Sequence, residues 1–257
     1  MSKRKIKVKK HLRKTKKGKI RVRKHSRRIK GVAVPPAWTN VKAHQNKPYI
    51  ATGRDEKGRV QYLYSKDFVE RQDKKKFKRV RRLEKKMPSI LNKIEKDIQN
   101  DNEEAQAVYT MYRTGFRPGT DKDTKADEKA FGTTNLQKRH VKVKPNNTVE
   151  FKFIAKKGIK VEKDVKDKKL AKIMKTRDSD KRIFHTNEDK VRKYFNVKSG
   201  SNFQLKDLRT LRANKVAKKL VQETKGDKKL VAKGVAEDLG NTPAIAVKSY
   251  IAPEVLQ

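Results

Sequence analysis

The chain has 257 residues, with 72 Lys and Arg against 29 Asp and Glu, a formal net charge of +43. Such an imbalance points to a polyanionic partner, while a hydrophobic share of 33% is enough for a packed core in one or two domains and excludes a wholly disordered basic protein. The absence of Cys excludes disulfides, thiolate metal sites and a Cys nucleophile, and no apolar run approaches the roughly 20 residues needed to span a bilayer or forms a signal peptide behind the basic N-terminus, so the expectation is a soluble protein with no membrane association.

Residues 1–31 carry 17 Lys and Arg and no acid. A segment that repels itself in this way is expected to be mobile until it meets phosphate, which makes residues 1–30 a basic arm. Within it, Lys19 to His25 alternates like an edge strand. From Gly31 the composition changes to the apolar, Pro-rich run Val32 to Trp38, and strand-like segments follow around Tyr49–Ala51 and Val60–Tyr64 with the turn 53–59 between them. Residues 31–76 therefore read as a small β-rich domain. On its last strand Tyr62 and Tyr64 share a face near Arg59 and Gln61, a set suited to phosphate, sugar or base contact and equally compatible with simple packing.

Residues 77–257 read as a mainly helical domain. Phe77, Val80, Leu83, Met87, Leu91, Ile94 and Ile98 recur at three- and four-residue steps, with Pro88 expected to break or restart the helix. A second helix is expected from about Asn102 to Gly115 and Pro118, followed by a polar loop over 118–135. Three alternating runs, 140–144, 148–155 and 159–165, predict a three-stranded antiparallel meander with Lys156 at the tip of its second hairpin. Four amphipathic helices follow from Lys168 onwards. No phosphate-binding loop, dinucleotide fingerprint or metal-ligand cluster occurs, and the five histidines are too scattered to suggest a metal site.

The segment Gly240 to Tyr250 places a tyrosine nine positions after Asn241. Breaking a phosphodiester with a side-chain oxygen needs a nucleophile, cations around the phosphorus, and an acid for the departing oxygen. Tyr250 suits the first role, although a free phenol has a pKa of about 10 and needs help to ionise. Arg113 and Arg209, beside short turns, suit bidentate contact with nonbridging oxygens. Lys156 suits the general acid, and Asn241 a further hydrogen bond to phosphate.

The segments 34–41, 52–64, 112–119, 155–158 and 206–210, with Gly240–Pro243 and Lys248–Tyr250, together resemble the type IB DNA topoisomerases of the small bacterial and poxvirus kind, from about Val32 to Val255. The resemblance implies an α+β fold: an N-terminal β-rich DNA-clamp domain and a helical catalytic domain of the DNA breaking–rejoining type carrying a three-stranded sheet. It implies Tyr250 as nucleophile, Arg113 and Arg209 as the two arginines, Lys156 as general acid, Asn241 where relatives carry His, Lys206 near the phosphate, and Arg59, Gln61, Tyr62 and Tyr64 as DNA contacts. It further implies a monomer closing around double-stranded DNA, relaxation through a 3′-phosphotyrosyl intermediate without ATP or metal, and a cytoplasmic, nucleoid-associated or virus-encoded protein. A tyrosine recombinase shares this chemistry, but its second arginine usually follows a His three positions earlier, where this chain has Lys206-Asp207-Leu208-Arg209. A noncatalytic basic DNA-binding protein would explain the charge but not the ordered residues. Ala155 stands where the family usually has Gly, and only seven residues follow Tyr250, which leaves an expectation of little chain to hold the tyrosine in place.

Overall fold

The computed structural model describes residues 11–15, 18–22, 28–45, 47–121, 129–176, 182–200 and 203–256. They fall into two compact units, residues 1–75 and 76–257. The first is built of short antiparallel strands. Strands β1 (His11–Thr15) and β2 (Gly18–Val22) pair with each other, as do β3 (Arg28–Ile29) and β4 (Val32–Ala33). The edge strand expected at 19–25 thus overlaps β2, while residues 1–10 and 23–27 of the basic arm lie outside the described residues.

A three-stranded sheet follows in the order β5 (Thr39–Ala43), β6 (Tyr49–Arg54), β7 (Val60–Tyr64). Its β6–β7 hairpin is the one expected from the sequence. The turn is organised by Asp55, whose carboxylate accepts from the backbone amides of Lys57 and Arg59, each at 3.0 Å. Strand β5 is exposed along its whole length and therefore carries no apolar alternation from which to foresee it.

The helix α1 (Lys66–Gln99) starts eleven residues before the apolar periodicity does. Its first turns are largely exposed and rich in Lys, Glu, Arg and Gln, so helix propensity and the Ser65 hydroxyl, which accepts from Phe68 N, hold them instead of packing. Pro88 does not break the helix. The missing amide costs one backbone bond, but Met87 and Ile90 on either side are buried, as are Leu83 and Ile94, and that face keeps the helix docked.

Helix α2 (Glu103–Thr114) begins at Asn102, whose side chain accepts from Ala105 N, and ends at Gly115. The meander forms as expected, in the order β10 (Ile159–Lys166), β9 (Thr148–Ala155), β8 (Val141–Val143). Helices α3 (Lys168–Lys175), α4 (Glu188–Ser199), α5 (Leu205–Glu223) and α6 (Lys228–Leu239) realise the four amphipathic pieces, and a short helix α7 (Pro243–Ser249) follows. One apolar cluster joins α1, α2, the meander, α3, α4 and the start of α5. A second gathers Ala213 and Ala217 of α5, the buried face of α6, Ala246 and Ile251. No helix among the described residues is long and apolar enough to cross a membrane.

Candidate active site

Tyr250 is delivered by a stop-and-start signal in the chain. Gly240 closes α6 with its amide on the carbonyls of Ala236 and Glu237, Thr242 opens α7 with its hydroxyl accepting from Ile245 N, and Pro243 occupies the first helical turn, where a missing amide costs nothing. Tyr250 then caps α7. The residues that follow it are firmly held, where the sequence left the expectation of little to hold the tyrosine in place. Asn214 of α5 donates to the Tyr250 carbonyl at 2.9 Å and accepts from Ala252 N at 2.9 Å, Ile251 and Ala252 are buried, and Val255 and Leu256 pack on the second apolar cluster. Arg81 pairs with Glu254.

Arg209, in the second turn of α5, is buried with its guanidinium carbon 5.2 Å from the Tyr250 ring centre. It is aimed by two carbonyls, Gly115 at 2.5 Å and Leu239 at 2.6 Å. These belong to the C-terminal ends of α2 and α6, where carbonyls lack helical partners. Lys163 of β10 serves the same two ends one residue earlier, donating to the carbonyls of Thr114 and Asp238 at 2.7 Å each. Its ammonium also pairs with the Asp238 carboxylate at 3.0 Å, which Arg212 of α5 grips with two bonds. Burial pushes the Lys163 ammonium down to about 8 against the pull of Asp238. Two helix ends are thereby bracketed by two buried cations.

The other arginine beside Tyr250 is Arg117, a residue the sequence did not single out. Its Nη2 lies 3.4 Å from the Tyr250 hydroxyl, whereas Arg113 Nε pairs with Asp167 at 2.8 Å and does not line the cavity. Asp167 is the cap of α3, accepting from Leu170 N, and also receives the Tyr109 hydroxyl, so Arg113 belongs to a helix-capping cluster. The reason lies in Gly115, which takes the left-handed conformation (φ 73°, ψ 14°) and turns the chain away from the helix. Phe116 then inserts edge-on against Phe151 and Phe153 of β9, and Arg117 emerges on the cavity side. Its carbonyl accepts from Thr133 N at 2.8 Å. Gly119 and Gly132 press together there so closely that a Cβ on Gly132 would sit 2.7 Å from the Arg117 carbonyl oxygen.

Tyr250, Arg117, Arg209, Lys156 and Lys206 line one cavity of about 270 Å³, together with the carboxylate-bearing Glu188. Lys156 sits in the tight connection between β9 and β10, exposed, and Lys206 is exposed in the first turn of α5. Asn241 reaches the same guanidinium: with its amide turned so that both ends are satisfied, the oxygen accepts from Arg209 Nη2 at 3.0 Å and the nitrogen donates to the Gly240 carbonyl at 3.2 Å. Burial alone would raise the Tyr250 phenol, but the nearby charges of Arg209 and Arg117 outweigh it, and the net direction is below the ordinary tyrosine value. The cavity therefore combines an acidified phenol with four cations, a donor set fitted to a phosphodiester.

The family model for the eukaryotic DNA topoisomerase I catalytic core matches residues 65–246. The chain is 30% identical to DNA topoisomerase 1B of Acanthamoeba polyphaga mimivirus over 259 aligned positions, covering 87% of this chain and 76% of that protein. It is 31% identical over 226 positions to DNA topoisomerase I of Monkeypox virus and to DNA topoisomerase 1B of Vaccinia virus (strain Copenhagen), covering 81% of this chain and 71% of each relative. The chain belongs to the type IB DNA topoisomerases.

In this type IB topoisomerase three supporting residues escaped the sequence reading. Arg117 had a legible signal, since it follows the helix-ending Gly115 and precedes Pro118-Gly119. Asn214 and Lys163 had none, because each acts on backbone atoms distant in the chain. Lys163→Met is expected to destabilise the topoisomerase by about 3–5 kcal/mol, because it leaves Asp238 and two buried carbonyls short of a donor. Thermal unfolding checks this, with a fall in midpoint on the order of 10 °C. In the first unit, Arg59 and Gln61 both donate to Asp55, at 2.8 and 2.9 Å, and Tyr62 and Tyr64 share an exposed face of β7 with Tyr64 stacked on Phe68. These side chains are pre-ordered at the surface, and the Asp55 carboxyl is held low by the Arg59 side chain.

Proposed function

We propose that the enzyme relaxes supercoiled duplex DNA by transient cleavage of one strand through Tyr250. The observation that carries this reading is the placement of Tyr250 beside two guanidinium groups, that of Arg117 at its hydroxyl and that of Arg209 at its ring, in a cavity also lined by Lys156 and Lys206. In the reaction the Tyr250 oxygen bonds to phosphorus while the bond from phosphorus to the 5′ oxygen breaks. The phenol proton passes to solvent, and Lys156 protonates the departing 5′ oxygen. Arg117, Arg209 and Lys206 hold the nonbridging oxygens as charge develops, with Asn241 orienting Arg209 and adding a hydrogen bond. The 3′ end stays on the tyrosine, the free 5′-hydroxyl end rotates, and the reverse attack reseals the strand. No ATP or metal takes part, and the protein works as a monomer with both units on the duplex.

The test is plasmid relaxation in EDTA without ATP, using negatively and positively supercoiled substrate. Both are expected to relax, with protein trapped on the 3′ side of the break by denaturant. No relaxation at low salt, a requirement for metal, or strand exchange between two specific sites as the sole activity defeats the reading. For the first unit, Arg59→Ala is expected to weaken duplex binding by up to about tenfold and to lower the dependence of log K on log salt by about 1, as one lost phosphate contact should. A salt titration of fluorescence anisotropy measures it.

A further inference from the structure

The tyrosine is held from a second direction that the chemistry above does not use. Lys76 and Arg79 lie one turn apart on α1, on the same face. Lys76 Nζ donates to the carbonyl of Ser249 at 2.9 Å, and this carbonyl belongs to the peptide bond that joins Ser249 to Tyr250. Asn214 holds the next carbonyl, that of Tyr250 itself. Both peptide planes flanking the Tyr250 Cα are therefore gripped, one from α1 and one from α5. Arg79 grips Asp207 with two bonds, 2.7 and 2.8 Å, and the same carboxylate accepts from Gln204 N at 2.9 Å. Asp207 is fully buried between Lys206 and Leu208 in the first turn of α5, one residue from Lys206 and two from Arg209.

We propose that Lys76 is a positioning residue for Tyr250, and that together with Arg79 it makes α1 the strut that fixes the tyrosine against the first turn of α5. The inference rests on the reading of Tyr250 as nucleophile. Lys76 reaches the backbone and not the reacting atoms, so its effect falls on the rate of attack and leaves duplex affinity alone.

The experiment uses the full chain with Lys76→Met and Lys76→Arg. It measures covalent adduct formation in a single turnover on supercoiled plasmid at saturating enzyme, the dissociation constant for a short duplex, and the thermal midpoint. Lys76→Met is expected to slow adduct formation about tenfold to a hundredfold, as small misplacements of reacting groups do. Its duplex affinity and midpoint stay at the wild-type values. Lys76→Arg, which still offers a cationic donor to the same carbonyl, recovers most of the rate. An unchanged saturating rate in Lys76→Met, a loss confined to the dissociation constant, or equal slowing in both variants overturns the inference. A wild-type chain that forms no adduct overturns it together with the proposed function, whereas an active wild type matched by Lys76→Met sinks the positioning role alone.

Discussion

Tyr250→Phe is expected to abolish relaxation and the covalent adduct while leaving duplex binding and folding intact. The substitution removes one oxygen. The ring stays over Arg209, and the backbone stays in the grip of Asn214, because neither contact involves the hydroxyl. Loss of a nucleophile lowers a rate by on the order of 10⁵ or more, which in a plasmid assay reads as no activity. Residual relaxation within tenfold of wild type would remove Tyr250 from the chemistry. The wild-type cleavage rate carries a further signature. Because Arg209 and Arg117 set the phenol below its ordinary value, the rising limb of the rate against pH should level off below about 10, the free tyrosine value. Arg117→Ala should move that limb upward. A pH series of single-turnover adduct formation measures both.

The second large effect separates two arginines four residues apart. Arg117→Ala is expected to slow cleavage by about 10² to 10³, the usual cost of removing one charge-stabilising donor from a preorganised site. Arg113→Ala should leave the rate within about threefold of wild type. Its cost falls on stability, about 1–2 kcal/mol, since Asp167 loses an ion pair but keeps Tyr109 and the amide of Leu170. Single-turnover rates and thermal midpoints measured on the two variants side by side distinguish these outcomes. The reverse result, a dead Arg113 variant and an active Arg117 variant, would mean that the cavity closes around DNA in a different arrangement from the one described.

This contrast shows where the sequence is informative about the site. Arg113 and Arg117 are equivalent as residue types, and both flank a glycine. What distinguishes them is the left-handed turn at Gly115 and the insertion of Phe116 between two rings of β9, a packing event between segments 35 residues or more apart in the chain. Pro88 is a related case. A local rule predicts a break there, and the burial of Met87 and Ile90 overrides it. Where a signal is local and periodic, it survived folding: the meander with Lys156 in its second hairpin, the amphipathic helices, and Arg209 early in its helix all stand where the pattern put them.

By itself the sequence determined the ingredients: a strongly cationic chain, a tyrosine following a helix stop and start, a hairpin lysine, and an arginine beside Lys206 in a helical turn. These are readable because residue type and local spacing carry them. Only the tertiary structure decided which second arginine meets the phenol, and that Asn214 and the second apolar cluster hold the residues on either side of it. Those outcomes depend on the turn at Gly115 with Phe116 packed on β9, and on Asn214 reaching the Tyr250 carbonyl. The orientation of the site depends likewise on carbonyls at the ends of α2, α6 and α7 being claimed by Lys163, Arg209 and Lys76. A backbone carbonyl is the same at every position, so nothing in the order of side chains announces which distant cation will take it.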